Sequence, residues 1–350
     1  MTASPSSFPS LQGTVFAYGS PCDSLYGHLV LRRDGTILGT VDDDLHPAPL
    51  AWAMEGEELV LRARGVASRY RREGRFWSGR IEGHLWPLVL LPVLENDLPD
   101  GKAGLPPLFV QSIPKSGTYF LEKALAAVGW RPTRLHLCTG MVDDYRGLPD
   151  EQVHVNPLAV RYGCPEHLVA ATLRNGQMAV GHLARSEGVE AIEALGVVVV
   201  RCVRDLRDVL ASLYRFKLGK VHPVGPHDLA WRRAAEAERF DRFLHAYLED
   251  DVRFVGGMAE SLLRAAPESL VRYEELETGK LPVPWREKFE GIAPGLSGLV
   301  EAALAASRDS RTPTYSGKRS QWRDHWTPQT EAFFEKTGLR ELNRRLGYES

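Results

Sequence analysis

The chain has 350 residues, 43% of them hydrophobic and 25% charged, and its formal net charge is -2. This length and composition predict an ordinary globular protein with one large domain or two smaller ones. A chain this close to neutral lacks the basic surface of nucleic-acid-binding proteins, so we expect no nucleic-acid partner. Any anion site must therefore come from a few well-placed lysines and arginines.

The cysteines and the apolar segments argue against a secreted, metal-binding or membrane-spanning protein. Because the four cysteines are widely spaced and form no Cys-x-x-Cys pair, they predict reduced thiols and no metal site. Residues 1–11 contain no basic segment followed by an apolar one, and no apolar run approaches about 20 residues. We therefore expect a cytoplasmic protein without an integral membrane segment. The cysteines are Cys22, Cys138, Cys164 and Cys202.

Residues 1–95 are predicted to form a small all-β domain, either a sandwich or a barrel. Apolar and polar residues alternate in 28–31 and 58–62, and Asp-Gly or Glu-Gly turns recur between such segments. Aromatic residues are dense here, and they serve either as core or as a recognition surface for an acceptor sugar or a partner. These residues are Trp52, Tyr70, Phe76, Trp77 and Trp86.

Residues 96–107 are predicted to be a linker, because Asn-Asp, Pro-Asp-Gly and Pro-Pro sequences follow one another there. From residue 108 to residue 350, strands alternate with helical segments, which is typical of a central parallel sheet flanked by helices. The predicted fold class is therefore α/β, preceded by the small all-β domain.

The segment 112–120 is a candidate anion-binding loop. It follows the apolar run 108–110, contains Lys115 and Gly117, and opens a helical pattern. A strand, a tight turn and a helix with unpaired N-terminal amides form a cradle for a phosphate-like group. The loop is not a Walker A motif, because the glycine required before the lysine is missing. The alternative is an ordinary helix start with a hydroxyl cap.

A histidine follows another predicted strand. The strand 178–183 contains Gly181 and His182, and a histidine after an apolar run is more often structural than catalytic. A catalytic role gains weight if this strand ends at the same sheet edge as Lys115, since ligands gather at the carboxyl ends of parallel strands. Residues 130–180 are predicted to be irregular and polar, either contacting substrate or merely solvated.

The segment 197–216 is predicted to be a buried strand followed by a helix that carries a second anion-binding pair. Arg204 stands at the strand exit, where its guanidinium can contact a phosphate through two N–H groups. Ser212 lies eight residues further on and can point back as a donor. The alternative is that Arg204 pairs with Asp205 or Asp208 on the surface.

The remainder of the chain is predicted to be mostly helical. A long helix is predicted over 227–249, and a strand near 269–272 runs into residues 273–276. Residues 315–326 combine four cations with two tryptophans, which predicts a flap that closes over an anion. A final helix is predicted over 328–346.

Four of these segments, in this order, resemble the motifs of sulfotransferases that use 3′-phosphoadenosine 5′-phosphosulfate (PAPS). Residues 114–118 resemble the family's 5′-phosphosulfate loop, and 203–212 resemble its 3′-phosphate motif, with the same eight-residue step. Residues 273–276 are similar to its Tyr-Glu-Asp-Leu segment, and 317–322 to its C-terminal Gly-x-x-Gly-x-Trp loop. The resemblance covers 108–346, leaves out the N-terminal domain, and implies a P-loop-like sulfotransferase fold.

The resemblance also implies roles for individual residues. His182 would be the general base, and Lys115 would stabilise charge on the departing nucleotide. Arg204 and Ser212 would hold the 3′-phosphate of the cofactor, and Tyr273 would approach its base. The other implied cofactor-binding residues, besides Lys115, are Ser116, Gly117, Thr118 and Tyr119 at the phosphosulfate, Phe120 beside adenine, and Gly317, Lys318 and Arg319 in the C-terminal loop.

Two positions depart from the family pattern. The family's lysine two residues before the base is Val180 here, so one cation near the sulfuryl group is missing. The Arg-Lys pair of the C-terminal loop falls on Tyr315 and Ser316, and Ser320 replaces the second glycine. The charge of that loop would then come from Lys318, Arg319 or Arg323.

The sequence therefore predicts a bacterial-type enzyme that transfers a sulfuryl group from PAPS to a hydroxyl of a glycan or natural product, releasing 3′,5′-ADP. The sequence does not identify the acceptor. It also leaves the oligomeric state open, with a homodimer as one option. One alternative is a nucleotide-dependent kinase, suggested by the strand, loop and helix around Lys115 but disfavoured by the missing Walker glycine. A second is an inactive glycan- or nucleotide-binding protein of the same fold, suggested by Val180 and the aromatic N-terminal domain.

Overall fold

The structure is a computed structural model that describes residues 11–21, 25–40, 49–149, 160–223, 225–246, 253–265, 269–308 and 321–348. The chain divides into two compact units. The first contains Met1–Pro99, Gly140–Val142 and Tyr162–Arg174, and the second contains the remainder. Residues 96–107 are all described and contain no helix or strand, and the longest stretch of the first unit ends among them at Pro99.

The first unit is built on an eight-stranded antiparallel sheet, paired in the order β3-β2-β1-β8-β7-β6-β5-β4 within the described residues. The two outer strands approach each other, because the amide of Ile37 donates to the carbonyl of Leu50 at 3.0 Å and that of Trp52 to Gly35 at 2.8 Å. The sheet therefore curls into a nearly closed barrel. The strands are β1 (Thr14–Gly19), β2 (Leu25–Leu31), β3 (Ile37–Gly39), β4 (Ala51–Glu55), β5 (Glu58–Ala63), β6 (Val66–Glu73), β7 (Phe76–Ile81) and β8 (Pro87–Glu95).

Apolar side chains fill the interior of this barrel. Tyr70 and Trp77 are buried there among leucines, so these two aromatic residues serve the core rather than a recognition surface. Trp86 is 44% exposed, and its indole N–H donates to the hydroxyl of Tyr26 at 3.0 Å. The barrel thus uses its dense aromatic residues mainly for packing.

The second unit contains five strands that pair in parallel, in the order β10-β13-β9-β14-β15 among the described residues. β9, β13 and β14 are almost wholly buried, as expected for strands covered on both faces. The strands after residue 107 are β9 (Leu108–Ser112), β10 (Arg131–Cys138), β11 (Met141–Asp144), β12 (Val160–Tyr162), β13 (Gln177–His182), β14 (Val198–Val203) and β15 (Leu270–Arg272).

The region 130–180, predicted to be irregular, contains β10, β11, β12 and the short helix Glu166–Ala170, so that prediction was wrong. The strand β10 was not predicted because polar residues interrupt its apolar pattern. Thr133 is fully buried and donates from its hydroxyl to the carbonyl of Met178 at 3.0 Å, and His136 is 6% exposed. Because tertiary hydrogen bonds satisfy such residues, a polar sequence here still forms a buried strand.

The helices within the described residues are α1 (Thr118–Val128), α2 (Glu166–Ala170), α3 (Ser186–Ala194), α4 (Leu206–Lys220), α5 (Pro226–Arg232), α6 (Glu236–Ala246), α7 (Arg253–Ala265), α8 (Tyr273–Leu276), α9 (Val283–Ile292), α10 (Leu296–Ser307), α11 (Pro328–Lys336) and α12 (Leu339–Arg345). A short 3-10 helix covers Gln321–Asp324.

Two helices predicted as continuous are each interrupted. The predicted helix 227–249 contains α5 and α6, because Trp231 and Phe240 both pack against Tyr214, with ring centroids 5.8 and 5.2 Å away. Residues nine apart would face opposite sides of one straight helix, so a break is needed. The predicted helix 328–346 is likewise split into α11 and α12 at Gly338, whose φ is 76°.

The described residues of the second unit contain a hydrophobic core on each of two sets of helices. One joins α1, α9 and α10 to β9, β13 and β14, and the other joins α4 to α7 with α11 and α12. Within the described residues, none of the helices is both long and apolar enough to cross a lipid bilayer.

The parallel pairing brings the candidate residues to one edge of the sheet. Ser112, His182 and Val203 are the last residues of β9, β13 and β14, which are neighbours in the sheet. Their side chains and the loops that follow them therefore lie at the same carboxyl edge. Arg272, the last residue of β15, brings Tyr273 to this edge as well.

Candidate functional site

The loop between β9 and α1 is tight and depends on its glycine. Lys115 and Gly117 both have positive φ, 69° and 86°, and the amide of Ser116 donates to the carbonyl of Ile113 at 3.1 Å. A Cβ on Gly117 would come within 2.3 Å of the Tyr273 ring. Backbone conformation and close approach therefore both require glycine at position 117.

The hydroxyls of the loop are buried. The Oγ atoms of Ser112 and Thr118 lie 2.7 Å apart, which places Thr118 at the start of α1 with its hydroxyl turned towards β9. Ser116 is fully buried, and its Oγ has no hydrogen-bond partner among the described residues. A buried hydroxyl without a partner is costly unless a ligand oxygen completes it.

Lys115 is a half-buried cation with positively charged neighbours. Its Nζ lies 3.6 Å from the centroid of the Phe216 ring. Burial, followed by the positive charges of Arg204 and Arg215, lowers the pKa of Lys115 to about 7. An anion bound here would restore the charged form.

Arg204 lies beside this loop, as the sequence predicted. Its Nη1 donates to the carbonyl of Lys115 at 3.2 Å, and its Cζ lies 4.9 Å from the centroid of the Tyr273 ring. Its Nη2 lies 3.5 Å from Asp208, so the alternative pairing with Asp208 occurs, but the Arg204 side chain is only 12% exposed. The Nε–H group of Arg204 is thus left without a protein acceptor in the described chain.

Helix α4 places further polar residues near Arg204. Asp208, Ser212 and Arg215 are spaced by four and three residues, so they share one helix face. Arg215 is half-buried, and burial is the main cause that lowers its pKa, with Arg204 adding to it. Arg215 was not predicted as a site residue. Its position one helical turn after Ser212 could have indicated that it shares the helix face of Ser212.

The geometry of His182 fixes its tautomer. Its Nδ1 lies 2.7 Å from the carbonyl oxygen of Ser112, and because a carbonyl only accepts, Nδ1 must carry the proton. The neutral imidazole then has its lone pair on Nε2. Burial, followed by the nearby positive charge of His136, holds the pKa of His182 well below its usual value. His182 is therefore a neutral hydrogen-bond acceptor at neutral pH.

Gln111 holds the backbone just after His182, a role that the sequence analysis missed. The side-chain amide of Gln111 donates to the carbonyl of Leu183 at 2.9 Å and accepts from the amide of Leu183 at 3.1 Å. A polar residue inside the apolar run of β9 was the available signal. This pair of hydrogen bonds fixes the direction in which the chain leaves β13.

The side chain of Tyr119 points to a second histidine. Its hydroxyl lies 3.1 Å from Nδ1 of His136, which is 6% exposed. The ring centroids of His136 and His182 are 4.5 Å apart, with planes at 64°. The polar residues Tyr119, His136 and His182 therefore form a contiguous group beside the loop.

Two predicted residues cover the loop on the other side. Phe120 and Tyr273 are buried, and their rings meet edge to face with centroids 6.1 Å apart. The predicted residues Gly317, Lys318 and Arg319 lie outside the described residues. Just after them, the amide of Trp322 donates to Asp208 at 3.3 Å.

No group of three or more His, Cys, Asp and Glu residues is arranged to hold a metal ion within the described ranges. The arrangement instead offers cations, hydroxyls and one neutral imidazole at a single sheet edge. Such a site can bind an anion and accept a proton next to it.

Comparison with known proteins adds only distant structural similarities. No family model matches the chain, and no curated protein matches it. The crystal structure of mouse sulfotransferase SULT7A1 complexed with PAP is similar, with a TM-score of 0.42 and 13% identity over 70% of this chain and 89% of that chain. The structure of retinol dehydratase in complex with androsterone and inactive cofactor PAP has a TM-score of 0.37 and 15% identity, over 70% and 82%. The function is therefore inferred from the residues of the site.

Proposed function

We propose that the protein transfers the sulfuryl group of PAPS to a hydroxyl of an acceptor, a glycan or a natural product. The proposal rests on the four motifs that resemble PAPS-dependent sulfotransferases and on the way the first three, which the structure describes, meet at one sheet edge. We further propose a cytoplasmic enzyme with residues 108–350 as its sulfotransferase domain.

One observation carries this proposal. Around the β9–α1 loop, the Oγ of Ser116 and the Nε of Arg204 are buried without partners in the described chain. The half-buried Lys115 lies next to Ser116 in this loop, and burial and positive neighbours lower its pKa. His182 lies beside the same loop with a lone pair on Nε2. An anionic donor and a hydroxyl acceptor would satisfy these two halves of the site together.

The residues fit the proposed cofactor. Lys115, Ser116 and the amides at the start of α1 would hold the 5′-phosphosulfate, where the helix N-terminus favours negative charge. Arg204 would hold the 3′-phosphate through its Nε–H group, which has no partner in the described chain. The other residues assigned to PAPS are Gly117, Thr118, Tyr119, Phe120, Ser212 and Tyr273, with Gly317, Lys318 and Arg319 assigned from the sequence alone.

PAPS would supply an activated sulfuryl group whose S–O bond to phosphate breaks as the acceptor oxygen attacks. His182 would take the acceptor proton on Nε2, while Ser112 keeps the ring oriented through Nδ1. Lys115 would stabilise the charge that develops on the departing phosphate oxygen. Because such transfers have loose transition states, positioning and charge stabilisation supply most of the catalysis.

The direct test is sulfuryl transfer itself. We expect ³⁵S from labelled PAPS to appear in at least one member of a panel of hydroxyl acceptors. The substitution His182→Ala should lower turnover by about 100-fold or more, because it removes the proton acceptor, while leaving 3′,5′-ADP affinity unchanged. His84→Ala, at an exposed position of the first unit, is the matched control and should keep full turnover.

Each other outcome points to a named alternative. Unchanged turnover in His182→Ala would remove this residue from the mechanism. Transfer of phosphate from ATP, with no response to PAPS, would establish the kinase. Tight nucleotide binding without transfer to any acceptor would favour the inactive binding protein.

We propose acceptor recognition as the role of the first unit. A cavity of about 440 Å³ in this unit is lined by Arg72, Arg75 and Glu95 together with apolar residues that include Phe16 and Leu91. Neither arginine forms an ion pair within the described residues, whereas Arg69 on the same hairpin pairs with Glu55 and Glu82. With two guanidinium groups and one carboxylate, the described lining carries a net positive charge beside apolar residues, which suits the acidic part of a larger acceptor.

A further inference from the structure

Two histidines share one face of the parallel sheet at its carboxyl edge. β10 pairs with β13 so that His136 is the Cα partner of Val180 and Cys138 is the partner of His182. Because paired residues point to the same side and alternate residues share a face, His136 lies on the face of Val180 and His182. The measured ring separation of 4.5 Å agrees with this register.

His136 is held firmly in this position. The hydroxyl of Tyr119 on α1 lies 3.1 Å from its Nδ1. The ring of Tyr145 packs edge to face against its ring, with centroids 6.3 Å apart and planes at 87°. With 6% of its surface exposed, His136 has little freedom to leave the ring of His182.

The surroundings of His182 favour its neutral form. Lys115, from the β9–α1 loop, and His136, from β10, both disfavour a positive charge on it. The carbonyl of Ser112 on β9 and the backbone of Gly181 favour that charge. Cys138 is the remaining titratable neighbour on β10. Burial is the largest cause of the lowered pKa of His182, and His136 and Lys115 add to it, so the balance lies with the neutral ring.

We infer that His136 is a positioning residue for His182, packing against its ring and keeping it in the neutral form that can accept a proton. The catalytic value of this role rests on the proposed function. The role itself concerns only the two imidazoles, and it can therefore be measured without any sulfuryl transfer.

The inference gives His136 a defined effect on pH dependence. A base works only when deprotonated, so a low pKa of His182 keeps the site active in mildly acidic solution. His136 lowers the pKa of His182 electrostatically, so its removal should raise the pKa of His182. The acid limb of the turnover profile would then move to higher pH, while 3′,5′-ADP affinity would change little.

The experiment is an NMR titration of the histidine side chains in the full chain without ligand. The His182 signal is assigned by its loss in His182→Gln. We expect its midpoint to lie below that of a surface histidine in the wild type and to shift upward in His136→Phe, which keeps a ring in place but removes the charge. His84→Phe, in the first unit, is the matched control and should leave the His182 titration unchanged.

A second variant protects the test against misfolding of the first. Tyr119→Phe removes only the hydroxyl that holds His136, and we expect a smaller change of the His182 titration in the same direction. An unchanged titration of His182 in both variants would overturn the inference. Since no PAPS is present, that result would not contradict the proposed sulfotransferase activity. A shifted titration in a protein without sulfotransferase activity would support the inference and contradict the proposed function.

Discussion

Three residues of the site are in environments that a bound anion would stabilise. They are Ser116, Lys115 and Arg204. A buried hydroxyl or guanidinium edge without a partner costs about 1–3 kcal/mol. The Lys115 ammonium likewise sits among positive rather than negative neighbours. Because these costs fall on three residues of one sheet edge, they are best explained by a bound anion.

Arg204 should contribute strongly to nucleotide binding. We expect Arg204→Ala to weaken 3′,5′-ADP binding by about 1.5–3 kcal/mol, because it removes a charge-assisted contact to the 3′-phosphate. The measurement is calorimetric titration. Arg242→Ala is the control, since Arg242 forms an exposed pair with Glu238 on α6 and should leave affinity unchanged. Equal affinity for both variants would place the 3′-phosphate elsewhere.

Nucleotide binding should be coupled to proton uptake by Lys115. With a pKa of about 7, the side chain is mostly neutral at pH 8, and a bound dianion raises that pKa. We therefore expect uptake of up to about one proton at pH 8, and much less at pH 6, where Lys115 is already charged. Calorimetry in two buffers of different ionisation enthalpy measures the uptake. The uptake should disappear in Lys115→Met, and its absence from the wild type would contradict the assigned role.

At the scale of elements, the β9–α1 loop and α8 are packed against each other through Tyr273. Tyr273 begins α8 directly after β15, and its ring lies over Gly117, against Phe120 and near the guanidinium of Arg204. Gly117 is also the N-cap of α1 in the left-handed conformation. The shape of the loop thus depends on a helix start more than 150 residues later in the chain.

Gly117→Ala should therefore disturb both stability and binding. We expect a loss of about 1–3 kcal/mol in the free energy of unfolding, because alanine disfavours positive φ and its Cβ would collide with Tyr273. Binding of 3′,5′-ADP should fall with it. Denaturant unfolding and calorimetry measure the two effects.

Gly298→Ala is the matched control for this substitution. Gly298 lies in α10, where an added Cβ would have no described atom within 4 Å, so alanine should stabilise the helix by about 0.5–1 kcal/mol. A Gly117→Ala protein as stable as wild type, with full affinity, would show that the loop is not shaped as described.

The elements also explain which local predictions failed. The break between α5 and α6 is set by Trp231 and Phe240 sharing one partner, Tyr214, and no local sequence pattern contains that information. β10 was missed because buried Thr133 and His136 interrupt its apolar pattern. In both cases tertiary contacts decided a structure that propensity left open.

At the scale of the whole molecule, the sequence predicted the residues of the candidate site better than the residues that hold them in place. The apolar strands and the residues at their exits indicated that Lys115, His182 and Arg204 would meet, and parallel pairing brings them to one edge. Gln111, His136 and Arg215 were not assigned roles, because their importance depends on neighbours far away in the chain. The segments Gly140–Val142 and Tyr162–Arg174 belong to the first unit. The sequence did not predict this, because it depends on contacts between residues far apart in the chain.

The central claim is that Lys115 and Arg204, the half-buried cations beside the β9–α1 loop, form a site for a 3′-phosphorylated adenine nucleotide. The most direct measurement is calorimetric titration of the full chain with 3′,5′-ADP, with 5′-AMP and ATP as controls. We predict micromolar affinity for 3′,5′-ADP and much weaker binding of 5′-AMP, because only the former reaches Arg204. A preference for ATP, or no binding of any of the three, would contradict the claim.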